Sequence, residues 1–102
     1  DDKITEYILD IILATRKPEQ AGIKELAPLI EYGASPRASI FLVKAARAAA
    51  FLSGRGYVTP DDVKSICADV LRHRIVVSFE AQAETINSVQ VIDRILNKIP
   101  VP

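Results

Sequence analysis

Arg37 is the residue whose type and position point most directly to chemistry in this chain. It follows Ser35 and Pro36 at what reads as the start of a long helix. Serine is a strong N-cap, and proline at the first helical position gives up no hydrogen bond. A cation in that first turn faces the positive end of the helix dipole, at a cost of roughly 0.3–1 kcal/mol. A residue that stability disfavours is where function is to be sought. Free backbone N–H groups at a helix start attract anions, and an arginine fork beside them adds bidentate phosphate recognition. The helix start and Arg37 together therefore form a candidate phosphate sensor. Lys44 falls almost directly below Arg37 on an ideal helix and Arg47 one turn further, so a basic stripe is expected down an otherwise apolar helix. Solvated edge residues are the alternative reading of these cations.

The remaining chemistry is thin. His73 is the only histidine and Cys67 the only cysteine. Their spacing does not share a helical face, and two ligands fall short of the three or four of a zinc site. Cys67 reads as a small core hydrophobe and His73 as a structural residue near a helix end. No metal site is expected. Asp61 and Asp62 could be an acid/base pair, but a helix cap accounts for both. Neither a nucleophile–base pair nor a glycine-rich phosphate loop of the Walker type occurs.

Four main helices must position these residues. Ile4, Tyr7, Ile8, Ile11 and Ile12 make an amphipathic stripe, widened by Leu9 and Leu13, that predicts a first helix over about residues 3–17. Asp1 and Asp2 suit its start, Arg16 and Lys17 its end, and Pro18 stops it. Residues 19–33 read as an irregular connection holding a helical turn or a short strand, broken by Gly22 and Pro28. The second helix is expected over residues 36–53, apolar nearly all round, and hence the central buried helix, with Gly54 and Gly56 at its exit. Thr59, Pro60 and Asp62 have the form of a capping box, and Val58 and Val63 that of a hydrophobic staple. They open a third helix with its stripe at Val63, Ile66, Cys67, Val70 and Leu71, ending near residues 72–74. Ile75, Val76, Val77 and Phe79 suit a short extended piece, before a helical turn around residues 81–84. Ser88 caps a last helix through Val89, Ile92, Ile95, Leu96 and Ile99, stopped by Pro100. The fold class is all-α, a small bundle in one domain spanning residues 1–102.

Composition narrows the function. Hydrophobic residues at 49% and charged residues at 25% are those of a globular chain. Thirteen basic side chains balance thirteen acidic ones, which argues against wrapping a nucleic-acid backbone. No apolar run approaches the ~18 residues of a membrane span, and no signal peptide is visible. A lone cysteine cannot form an internal disulfide, so the sequence suits a reducing cytoplasm or is indifferent to compartment. With no methionine at all, the sequence reads as a fragment of a longer chain.

Gly33-Ala34-Ser35-Pro36-Arg37-Ala38-Ser39 resembles the motif that opens the sensor 2 helix in the C-terminal lid of MoxR-type AAA+ ATPases. Ala45-Ala46-Arg47-Ala48, the stretch from Gly54 through Thr59-Pro60-Asp61-Asp62 to Val63, and Leu71-Arg72-His73-Arg74-Ile75 look like the same family. The resemblance covers essentially the whole chain. It implies a helical AAA+ lid that closes over ATP and Mg²⁺ held by a separate core domain preceding residue 1. Arg37 then matches the sensor 2 arginine near the terminal phosphates, with Ser35 and Pro36 aiming it. The implied partners are the core domain, neighbouring subunits of a hexameric ring, and a protein carrying a von Willebrand factor A domain. The implied role is chaperone-like maturation or assembly of other proteins. The fragment itself is expected to bind no cofactor and to hydrolyse nothing. A nucleotide-independent interaction module, or a nucleic-acid-binding module using Arg37, Lys44, Arg47 and Arg55, stands as the alternative.

Overall fold

The computed structural model describes residues 2–102; Asp1, expected to favour the first helix by its charge, lies outside them. Among these residues the order is α1 (Asp2–Arg16), a 3-10 segment (Lys24–Leu29), β1 (Ile30–Tyr32), α2 (Ala38–Leu52), α3 (Pro60–Leu71), β2 (Val76–Val77), α4 (Phe79–Ala83) and α5 (Ser88–Lys98). The all-α class holds, with one small addition. β1 and β2 pair antiparallel, Ile30 opposite Val77 and Tyr32 opposite Val76, so the two weakly patterned stretches complete each other. Ser78 fastens the ribbon, donating its N–H to Leu29 O and its hydroxyl to Pro28 O.

α1 buries Ile4, Tyr7, Ile8, Ile11 and Ile12 together with Ala14 and Thr15. Leu9 and Leu13, expected to widen that stripe, are exposed instead. α2, α3 and α5 all touch α1, and they cover only the face repeating at the 3.6-residue period.

α2 departs further from expectation. Its buried residues are Ala38, Leu42, Ala46 and Ala50, a single four-residue repeat of mostly small side chains. Ile40, Phe41, Phe51 and Leu52 are exposed, Phe51 by 79% and Leu52 by 84%. The helix is therefore not the central buried one. A narrow alanine stripe lets α3 approach closely, and that approach leaves the bulky residues outside. Arg74 covers one of them, its guanidinium 4.4 Å from the centre of the Phe41 ring.

The exit of α2 is a Schellman turn. Gly54 has φ +81°, its N–H bonds Phe51 O, and the Arg55 N–H bonds Ala50 O. α3 opens with the expected capping box between Thr59 and Asp62. The last helix is capped by Asn87 rather than Ser88, and Asn87 and Gln90 form a second capping box. Ser88 is thereby freed to donate its hydroxyl to Arg72 O, at the end of α3. Among the described residues no helix is long and apolar enough to cross a membrane.

Candidate functional site

The approach to Arg37 is held at several points. Gly33 runs against the last turn of α1 so closely that a side-chain carbon there would overlap the Thr15 carbonyl and come within 2.8 Å of Arg16 Cα. Glycine is required by contact rather than by conformation. Ala34 is fully buried. Its N–H donates to Thr15 Oγ1 at 3.0 Å, and its carbonyl accepts from Arg16 Nη1 at 3.2 Å. The Thr15 hydroxyl in turn donates to Ile12 O at 2.7 Å. Ser35 Oγ then accepts the Arg37 N–H at 3.1 Å, a turn two residues long and not the expected helix cap, since the N-cap of α2 is Arg37, with no side-chain cap.

The helix start itself differs from expectation. α2 proper begins at Ala38, two residues later than Pro36, because the Ala38, Ser39 and Ile40 N–H groups bond Ser35 O, Pro36 O and Arg37 O in successive tight turns. With the Arg37 N–H also occupied, the first turn does not offer the free backbone donors expected of it. The hydrogen-bond donors left free at this point are those of the Arg37 guanidinium. That side chain is exposed, with no hydrogen bond or ion pair among the described residues.

Lys44 and Arg47 share one groove, and Arg37 does not line it. Both line a groove between α1 and α2 with Leu9, Ile40 and Val43. A larger hollow of about 470 Å³ continues from it towards Ile4, Phe51, Arg55 and Tyr57. The basic stripe is thus a pair of cations on the rim of an apolar groove, with Arg37 separate at the helix start.

Arg55 and Asp62 form a close ion pair. Asp62 is buried and also accepts the Thr59 N–H at 2.8 Å. The Arg55 hydrogen bond, then the Thr59 bond, holds its carboxyl below the ordinary carboxylate value. It is an ionised structural group, not a proton donor. Cys67 is fully buried, and burial, assisted by the charge of Asp93, pushes its thiol up to about 12. His73 is exposed and accepts from Arg72 Nε at 3.3 Å. Among the described residues no group of three or more His, Cys, Asp or Glu could hold a metal.

Residues 23–95 match the AAA lid domain family. The chain belongs to that family. Its curated relatives place the lid in the MoxR branch. It is 42% identical to the chaperone MoxR1 of Mycobacterium tuberculosis, over 97% of this chain and 26% of that protein. It is 40% identical to the protein MoxR of Paracoccus denitrificans, over 97% of this chain and 31% of that one. A crystal structure of a candidate ATPase from Cytophaga hutchinsonii superposes on all of the lid with a TM-score of 0.94 at 41% identity, using 31% of that chain. The lid thus spans between a quarter and a third of the length of these relatives.

Two features of the lid were missed by sequence reasoning. The Thr15 and Arg16 contacts to Ala34 join residues 18 and 19 positions apart, and no local pattern marks them. The Arg55–Asp62 pair links a helix exit to the next helix cap, each read separately.

Proposed function

We propose that this lid serves a MoxR-type AAA+ ATPase, closing over ATP on a core domain of the same chain, with Arg37 as its sensor of the terminal phosphate. The observation that carries the reading is an exposed, unpartnered arginine at a firmly anchored helix start, in a lid whose relatives include a chaperone and a candidate ATPase. A planar guanidinium suits a phosphate, which it meets through two parallel hydrogen bonds. On this reading Mg²⁺ would be held with the nucleotide by the core domain. When bound, ATP supplies the transferable phosphoryl group. The lid contributes a fixed positive charge, which stabilises charge developing on that group without moving a proton.

The exposed apolar residues of α2 and the groove beside them fit contact with the core domain and with neighbouring subunits of a ring, for which six members are the family's pattern. A cytoplasmic, chaperone-like role in assembling other proteins, with a von Willebrand factor A domain protein as partner, completes the reading by analogy. The test is nucleotide discrimination in the intact protein. Arg37→Ala should reduce the preference for ATP over ADP by about tenfold or more, and an unchanged preference would remove the sensor role.

A further inference from the structure

We propose that Thr15, at the end of α1, is a positioning residue for Arg37. This rests on the sensor reading of Arg37 and adds to it the element that sets where the guanidinium stands.

Thr15 is buried, and its hydroxyl does two things at once. It donates to Ile12 O at 2.7 Å, which fixes its rotamer, and so aims an oxygen lone pair at the Ala34 N–H, 3.0 Å away. The other side of Ala34 is held by Arg16 Nη1 on the carbonyl. Ala34 is thus gripped on both its donor and its acceptor. Gly33, just before it, lies against the Thr15 carbonyl with no room for a side chain.

Little freedom remains between Ala34 and Arg37. The Ser35 hydroxyl closes a turn on the Arg37 N–H, and the ring of Pro36 locks its φ. Two residues, Ser35 and Pro36, therefore connect the doubly bonded Ala34 to Arg37, and each is constrained. The position of Arg37 follows the last turn of α1. Polar positioning over such a short link matters because displacing a charged group by about 1 Å from its productive place can cost on the order of a hundredfold in rate.

Valine matches the shape of threonine but supplies neither bond, while serine supplies both. The experiment is a mutant cycle on the intact ATPase at saturating ATP, comparing Thr15→Val, Thr15→Ser, Arg37→Ala and the Thr15→Val/Arg37→Ala double variant. Thr15→Val should lower kcat about threefold to tenfold, and Thr15→Ser should restore it to within about twofold of the parent. In the Arg37→Ala background, Thr15→Val should cost no more than about twofold further. Hydrogen exchange should quicken at the Ala34 amide in Thr15→Val and stay unchanged in the α3 core. Arg16→Gln removes the second bond from an exposed side chain and tests the same link should Thr15→Val not fold. It too should lower kcat only where Arg37 is present. An equal loss in both backgrounds, or no loss, would overturn the positioning role while leaving the sensor intact. An unchanged kcat in Arg37→Ala alone would instead remove the sensor, and the positioning role with it.

Discussion

The hydroxyl of Thr15 accepts the backbone N–H of Ala34 at 3.0 Å, joining the end of α1 to the residue three positions before Arg37. The lid's candidate sensor is therefore set by a contact between segments distant in sequence. Around it lie relationships that make further predictions.

Gly33 has no space for a side chain, because the obstructing atoms are backbone atoms of Thr15 and Arg16. Gly33→Ala should cost about 1–3 kcal/mol, as overpacking does, and lower the Tm of the lid by several degrees. Gly56→Ala meets nothing within 4 Å and should leave Tm nearly unchanged. Thermal unfolding of the two variants checks the contrast.

Asp62 ionises more readily in the folded lid than its ordinary value of 3.8, chiefly through Arg55 and then the Thr59 N–H. A carboxyl of lowered pKa stabilises the fold above its unfolded value, and that contribution is lost as pH falls through the folded one. Stability should accordingly decline as pH is taken below about 4. Asp62→Asn should be less stable at pH 7 and less sensitive over the acid range, in denaturant melts at several pH values.

Cys67 is fully buried, with its thiol pushed up to about 12. Since the thiolate is the reactive form, an alkylating reagent at pH 8 should leave the native lid unmodified and label it fully once unfolded. Mass spectrometry reads both states. Fast labelling of native protein would contradict the burial.

Phe51 and Leu52 are among the most exposed large apolar side chains. Replacing both by serine should leave the lid's stability within about 0.5 kcal/mol. Leu42→Ala, at a fully buried site of the same helix, should cost about 2–5 kcal/mol. Equal losses would mean that the apolar face of α2 is covered within the lid.

Much of this was legible in the sequence. The stripe at Ile4, Tyr7, Ile8, Ile11 and Ile12 and the cap at Thr59 and Asp62 depend on local spacing, and both form as expected. The burial of α2 differs from its hydropathy pattern because hydropathy records which residues are apolar but not which neighbours reach them. Alanine packing against α3 leaves Phe51 and Leu52 outside. Asn87, not Ser88, is the cap, and the signal is Gln90 three residues after Asn87, which completes the capping box. At the site, the type of Ser35 points to a hydroxyl bond near the helix start, and that bond forms as a turn onto Arg37 instead of a cap. The tight turns that occupy the following N–H groups are local, but residue type does not separate them from a regular helix start; the hold of Thr15 and Arg16 on Ala34 comes from tertiary packing that spacing does not encode.

The central claim is that Arg37 acts on bound nucleotide and not on the fold. Its exposed side chain has no partner among the described residues, so Arg37→Ala should leave the Tm of the lid unchanged or slightly raised, since a cation is removed from a helix start. The most direct measurement is the steady-state ATP turnover of Arg37→Ala in the intact protein at saturating ATP. The sensor role predicts a fall of about tenfold or more in kcat; turnover equal to that of the parent would contradict it.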